Sequence, residues 1–252
     1  MTILYFSATG NNLYLAKEIG GELVSIPQAM KNGTTSFSDD KIGLVFPVYH
    51  LSVPSIVAAF IKTSHFQCDY LFAVLSYGMF GGAAPNELKK IVSEAGTSFS
   101  YINTIQMVDN WVPGFDMAKQ KEIDPKKKVD AHLANIVADI NASKKWICRN
   151  GLFAKLATKI MLKRKDGSEA AFAQSFTVED NCTKCGTCAK VCPVGNIVVE
   201  NAKPVFDNHC IRCLACTQNC PPNAIRLPRE KSRHRYRNPH ISLQEIIQAN
   251  KQ

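Results

Sequence analysis

Eight of the ten cysteines of this chain lie between positions 182 and 220, and they form two copies of one spacing. The first copy starts at Cys182 and the second at Cys210, and each ends in a Cys-Pro pair, at Pro193 and Pro221. Each copy is too short to bury a hydrophobic core of its own. The repeat therefore predicts two half-units that fold together around whatever the cysteines bind.

The crowding of these cysteines indicates metal binding rather than disulfide bonds. The N-terminus has no basic start followed by a long apolar stretch, which a secretory signal requires. In a chain without such a signal, clustered cysteines are typically metal ligands in a reducing compartment, so we expect a cytoplasmic protein. No membrane span is expected either, because Pro47 and Pro54 interrupt the uncharged stretch at 42–61.

The spacing of both copies, C-x2-C-x2-C-x3-C-P, is the bacterial arrangement for 4Fe-4S clusters. In this arrangement the fourth cysteine of each copy binds the cluster of the other copy. A zinc ribbon is the alternative, but zinc needs four ligands and has no use for a third cysteine at the same interval. The two predicted ligand sets are Cys182, Cys185, Cys188 and Cys220, and Cys210, Cys213, Cys216 and Cys192.

Residues 176–228 resemble the two-cluster bacterial ferredoxin, and the resemblance rests on this repeated motif. It implies a small α+β domain that transfers electrons and whose halves are related by a pseudo-two-fold axis. Gly186 of the first copy is matched by Leu214 in the second, a larger apolar residue that we expect to shield its cluster. Because exposure tunes cluster potentials, the two potentials are expected to differ.

The first part of the chain has the pattern of an α/β domain. Apolar runs are followed by turns and then by helix-like stretches, which is typical of a parallel sheet. We therefore predict a flavodoxin-like, five-stranded doubly wound sheet over residues 1–149. The predicted strands are 2–6, 22–26, 42–46, 70–76 and 100–108, and the last predicted helix lies near 125–149.

A loop rich in hydroxyl and amide side chains follows the first predicted strand and precedes a helix that begins near Leu13. At a helix N-terminus, backbone N–H groups, the helix dipole and Ser or Thr hydroxyls can hold a phosphate group without Lys or Arg. The alternative is an ordinary helix cap, because Ser, Thr and Asn are also common capping residues. The candidate phosphate-binding residues are Ser7, Ala8, Thr9, Gly10, Asn11 and Asn12.

Two further loops follow the strands predicted at 42–46 and 70–76. Open α/β sheets bind their ligands at the carboxyl ends of the strands, so the three loops are expected to meet at one site. The candidate ligand contacts are Pro47, Val48 and Tyr49 in one loop and Ser76, Tyr77 and Gly78 in the other.

With these three loops the first domain resembles flavodoxin, and the whole chain resembles the flavodoxin-ferredoxin fusion proteins of anaerobes. The resemblance implies an FMN cofactor, with its phosphate in the loop at 7–12 and its ring between Tyr49 and a residue of 76–82. Packing at the rim of the core is the alternative role for Tyr49 and Tyr77. The first domain lacks the strong acidity of most flavodoxins, so their partners and flavin potential do not carry over.

Positive charge is concentrated in a linker at 150–175 and in a tail at 229–252. Within the linker, residues 152–163 have the pattern of a basic amphipathic helix, expected either to pack between the domains or to contact an anionic membrane surface. The basic tail is expected to be solvated, and no nucleic-acid partner is expected.

These features predict an iron-sulfur flavoprotein that relays electrons between two 4Fe-4S clusters and FMN and exchanges them with an external redox protein partner. Two alternatives stay open. One is a flavin reductase acting on a small acceptor, and the other is a ferredoxin-type carrier whose flavodoxin-like domain lacks FMN and serves for docking. The sequence does not decide between an electron carrier and an oxidoreductase.

Overall fold

The computed structural model describes residues 1–148, 158, 169–201 and 203–252. The first part folds as a flavodoxin-like α/β unit, and the second as a small ferredoxin-type unit with short strands. The basic helix predicted over 152–163 lies outside the described residues, apart from Thr158. In the described ranges, no helix is both long and apolar enough to cross a membrane.

The first unit is built on a parallel sheet with the strand order β2-β1-β4-β6-β7-β8. Five of these strands, in the order β2-β1-β4-β6-β7, have the doubly wound order of flavodoxin-like sheets. A separate parallel pair, β3 with β5, lies outside this sheet. The strands are β1 (Thr2–Tyr5), β2 (Glu22–Ser25), β3 (Ser36–Ser38), β4 (Lys41–Pro47), β5 (His65–Gln67), β6 (Tyr70–Tyr77), β7 (Tyr101–Gln106) and β8 (Trp146–Ile147).

The sixth strand corrects the prediction of five. The helix predicted near 125–149 ends at Asn141, and the chain returns to the sheet so that Trp146 pairs with Tyr101. A strand of two residues is too short to leave a periodic signal in the sequence.

The two central strands, β4 and β6, are buried almost end to end because helices cover both faces of the sheet. Gly43 on β4 leaves room for the Phe72 ring of β6, because a Cβ at this position would lie 2.3 Å from that ring. The helices of this unit are α1 (Asn11–Ile19), α2 (Ile26–Lys31), α3 (Ser55–Thr63), α4 (Ala84–Glu94), α5 (Met117–Ile123) and α6 (Val129–Asn141).

The second unit repeats itself in conformation as well as in sequence. Its two short helices start five residues after Cys182 and Cys210, and each is preceded by a residue in the left-handed region, Gly186 or Leu214. Two antiparallel pairs, β9 with β12 and β10 with β11, complete it. Its elements are α7 (Glu169–Ala173), β9 (Thr177–Val178), α8 (Thr187–Lys190), β10 (Ile197–Glu200), β11 (Lys203–Phe206), α9 (Ala215–Gln218) and β12 (Ile225–Arg226), followed by the C-terminal helix α10 (Leu243–Asn250).

Candidate functional site

The eight repeated cysteines line two separate pockets, four in each. In both pockets three cysteines come from one repeat and the fourth comes from the other, at the end of the opposite short helix. We call these pockets site 1 and site 2. Site 1 is lined by Cys182, Cys185, Cys188 and Cys220, and site 2 by Cys192, Cys210, Cys213 and Cys216.

The backbone around the cysteines has the same local geometry in both repeats. Lys184 and Arg212 both have a positive φ, 58° and 57°, which turns the chain tightly between the first and third cysteines. After the fourth cysteine, the N–H of Asn196 donates to Cys192 Sγ and that of Ala224 donates to Cys220 Sγ, each at 3.2 Å. Such N–H donors stabilise thiolate charge, which suits a cysteine that binds a metal cluster.

The chemistry of these residues fits 4Fe-4S clusters. All ten cysteines are free of disulfide bonds, and four thiolates are the ligand set of one such cluster. In the part of the chain that the structure describes, no three metal-ligating side chains converge on a single ion. Each pocket is lined by four thiols, the number that one such cluster binds.

The two sites differ in their exposure to solvent. Cys185 of site 1 is exposed, whereas Cys192, Cys213 and Cys216 of site 2 are each less than 10% exposed. Burial holds the pKa of Cys213 and Cys216 well above the ordinary thiol value, while a hydrogen bond from Thr187 lowers the pKa of Cys185. Solvent and oxidants therefore reach site 1 more easily than site 2.

We expect air to remove iron from the protein in two phases, site 1 first. The physical reason is the exposed Cys185 against the buried thiols of site 2. The measurement is iron released to a chelator over time, and each phase should account for about half of the total. A Cys220→Ala variant, which lacks a ligand of site 1, should show the slow phase alone. Loss of the slow phase in that variant would contradict the assignment.

Site 2 lies at the carboxyl edge of the parallel sheet, where a doubly wound fold binds its ligands. Cys213 belongs to the main hydrophobic core, and Tyr49 packs against that core. Burial raises the pKa of the Tyr49 hydroxyl well above its usual value, and the nearby Cys213 thiol adds to the effect. After α9, Asn219 Nδ2 donates to the Ala8 carbonyl at 3.0 Å. The ferredoxin-type unit thus sits on the loops predicted to hold FMN.

The predicted phosphate loop, residues 7–12, is buried beneath the rest of the chain. Its polar side chains are between 1% and 6% exposed. Both predicted hydroxyls have partners within the protein: Ser7 Oγ accepts from the Gly10 N–H at 3.1 Å, and Thr9 Oγ1 accepts from Asn110 Nδ2 at 2.6 Å. The Thr9 carbonyl accepts from the Asn238 N–H at 2.8 Å. An FMN phosphate does not fit the loop in this arrangement, because Asn238 and Ile241 pack against Gly10, where the phosphate would lie.

The two predicted ring-contact loops lie at the same edge. Pro47 ends β4, and the Val48 N–H donates to the carbonyl of the buried Ser76 at 2.7 Å. The half-buried Tyr49 starts a tight turn whose central residues, His50 and Leu51, both have a positive φ.

In the second of these loops Tyr77 is half-buried, and Gly78 packs tightly on Asp109. A Cβ on Gly78 would lie 2.1 Å from the Asp109 carboxylate, which accepts hydrogen bonds from the N–H groups of Met79 and Trp111. The structure brings the predicted residues of both loops together, and their contact with a flavin stays a prediction.

The C-terminal tail contains the residues that the sequence analysis missed. The basic stretch was expected to be solvated, and its Arg229, Lys231, Arg233 and Arg237 are exposed, but Tyr236 within it is only 3% exposed. Asn250, in the C-terminal helix, is fully buried. Arg233 of the basic stretch forms a bidentate pair with Glu179 at 2.9 and 2.8 Å. One sequence signal was available, because Ser242 and Glu245 have the spacing of a capping box and form one at the start of α10.

Residues 176–226 match the family of 4Fe-4S dicluster domains. This dicluster domain contains all eight repeated cysteines and identifies the unit as an iron-sulfur domain. A crystal structure of a candidate flavoprotein from Bacteroides uniformis ATCC 8492 aligns with 48% of this chain and 95% of its own, at 17% identity and a TM-score of 0.32. No curated protein matches the sequence.

Proposed function

We propose that this protein is an electron carrier that binds two 4Fe-4S clusters, one in site 1 and one in site 2. The observation that carries the proposal is the crossed grouping of the cysteines. Each pocket is lined by three cysteines of one repeat and the fourth of the other, within a segment that matches the dicluster family. This is the ligand pattern of two-cluster bacterial ferredoxins.

When bound, the clusters supply one-electron exchange at potentials that depend on charge, hydrogen bonding and exposure. The different burial of the two sites supports different roles for them. The exposed Cys185 makes site 1 the point of exchange with an external redox protein. The burial of Cys213 and Cys216 isolates site 2 from solvent, against the first domain. Backbone N–H groups at Cys192, Cys210 and Cys220 offset part of the thiolate charge.

An FMN-containing relay is the alternative hypothesis, and the residue types of loop 7–12 are what favours it. The contacts of that loop do not, because the Thr9 hydroxyl and the Ser7 and Ala8 carbonyls already bond to distant parts of the chain. A flavin reductase would need the same FMN site. The proposed carrier function therefore makes no use of flavin, and the first domain serves to dock the dicluster domain.

Iron, acid-labile sulfide and FMN per chain test the proposal in one sample purified without oxygen. We expect about eight iron and about eight sulfide per chain, as two 4Fe-4S clusters require, with FMN far below one per chain. A reductive titration followed by electron paramagnetic resonance should then show two separate one-electron transitions. About four iron, or zinc in place of iron, would contradict the two-cluster carrier. One FMN per chain would instead favour the relay.

A further inference from the structure

The C-terminal segment, residues 236–252, lies over loop 7–12. Its contacts reach both the backbone and the side chains of the loop. Asn11 Oδ1 accepts from the Tyr236 hydroxyl at 2.7 Å and from Asn238 Nδ2 at 3.2 Å. At the far end of the segment, Asn250 Nδ2 donates to the Ser7 carbonyl at 2.9 Å. The asparagines and the tyrosine act as donors here, and the loop supplies the acceptors.

The C-terminal segment packs closely against Gly10. Its φ is +94°, and a Cβ built there would lie 2.9 Å from Ile241 Cβ and 3.0 Å from Asn238 Cβ. The open side of this glycine therefore faces the segment. In the fold's usual use of such a loop, a glycine lets the backbone approach a ligand closely. Here the closely approaching group belongs to the same chain.

The segment also joins the two units of the protein. On the first domain, the hydroxyl of Ser25 donates to the Ala249 carbonyl, and Gln28 Nε2 donates to the Lys251 carbonyl. On the dicluster domain, Gln252 Nε2 donates to the Pro193 carbonyl at 2.8 Å, directly after the site 2 ligand Cys192. The segment thus connects the loop, α2 and the backbone next to a cluster ligand.

We propose that loop 7–12 is the binding site for the chain's own C-terminal segment and not for a nucleotide phosphate. The loop keeps the position and residue types of a phosphate cradle, but its ligand is a run of buried donors from Tyr236, Asn238 and Asn250. The proposal concerns the first domain and the tail, so it does not depend on how many clusters are bound.

The first test is tryptic cleavage after the exposed Arg237 in the full-length holoprotein, because proteolysis reports local opening of the segment. Asn11→Ala removes the acceptor of two buried donors, and cleavage should be roughly fivefold to tenfold faster, the range expected for loss of a buried hydrogen-bond partner. Tyr236→Phe is the milder variant and removes one hydroxyl. The matched control is Asn141→Ala, an exposed asparagine that bonds through its backbone carbonyl.

The double variant makes the test specific for this contact. If the Tyr236 hydroxyl acts through Asn11, then Asn11→Ala combined with Tyr236→Phe should be cleaved no faster than Asn11→Ala alone. Effects that simply multiply would overturn the pairing. So would wild-type cleavage rates in both single variants.

The second test adds FMN to the wild-type holoprotein and follows flavin fluorescence. No quenching is expected at millimolar FMN, because the segment occupies the loop. Stoichiometric binding of FMN to the intact chain would overturn the proposal. The cluster content of the same sample, measured as iron and sulfide, reports separately on the electron-carrier function.

Discussion

Replacing Cys220 with alanine is expected to remove about half of the iron and to leave the protein with one 4Fe-4S cluster, in site 2. Cys220 belongs by sequence to the second repeat, but it lines the pocket of Cys182, Cys185 and Cys188. Cys182→Ala should therefore give the same residual cluster, with the same electron paramagnetic resonance spectrum and the same potential. Iron analysis and spectra of the reduced proteins are the measurements.

The complementary pair should behave in the opposite way. Cys192→Ala and Cys210→Ala both open site 2, so each should keep only the cluster of the more exposed site 1. Cys148→Ala is the control, because this cysteine lies outside both pockets and should leave all the iron in place. If Cys220→Ala instead matched Cys210→Ala, the ligand sets would not be crossed, and the assignment of both sites would be wrong.

Gly10→Ala is expected to destabilise the protein by about 2–5 kcal/mol. An alanine with positive φ costs about 1–2 kcal/mol, and forcing a methyl group into packed space costs about 1–3 kcal/mol more. At Gly10 that methyl would overlap the side chains of Ile241 and Asn238. The midpoint of urea unfolding under anaerobic conditions measures the effect, and faster tryptic cleavage after Arg237 should accompany it.

Gly96→Ala is the matched control for this prediction. Gly96 also has a positive φ, +80°, but a Cβ there would meet nothing within 4 Å. It should therefore cost only the conformational part, about 1–2 kcal/mol. Equal destabilisation in the two variants would mean that the tail does not press on the loop. If Gly10→Ala were much more destabilising than Gly96→Ala but the tail stayed resistant to trypsin, the added strain would not come from contact with the tail.

Elements with a strong hydrophobic pattern were predicted well. The strand runs at 42–46 and 70–76 became β4 and β6. Their side chains fill the core, so the pattern in the sequence reflects the burial directly. The short β3 and β5 were missed, because strands of three residues contain too few positions to show alternation.

For loop 7–12, the residue types alone do not identify the ligand. Ser7, Thr9 and Asn11 are the right kinds of residue for a phosphate, and the loop follows β1 as predicted, although α1 begins at Asn11 rather than near Leu13. Hydroxyl and amide groups, however, serve a phosphate and a protein donor equally well. Which of them is bound depends on residues more than 200 positions away, such as Tyr236 and Asn250.

The sequence by itself determined the cysteine chemistry and the fold class. Ligand spacing within a repeat is local, and strand and helix periods are local, so both can be read from consecutive residues. Only the tertiary structure decided that site 2 lies at the ligand edge of the sheet and that the tail covers loop 7–12. These are contacts between distant segments, fixed by packing and by hydrogen bonds that no local pattern records.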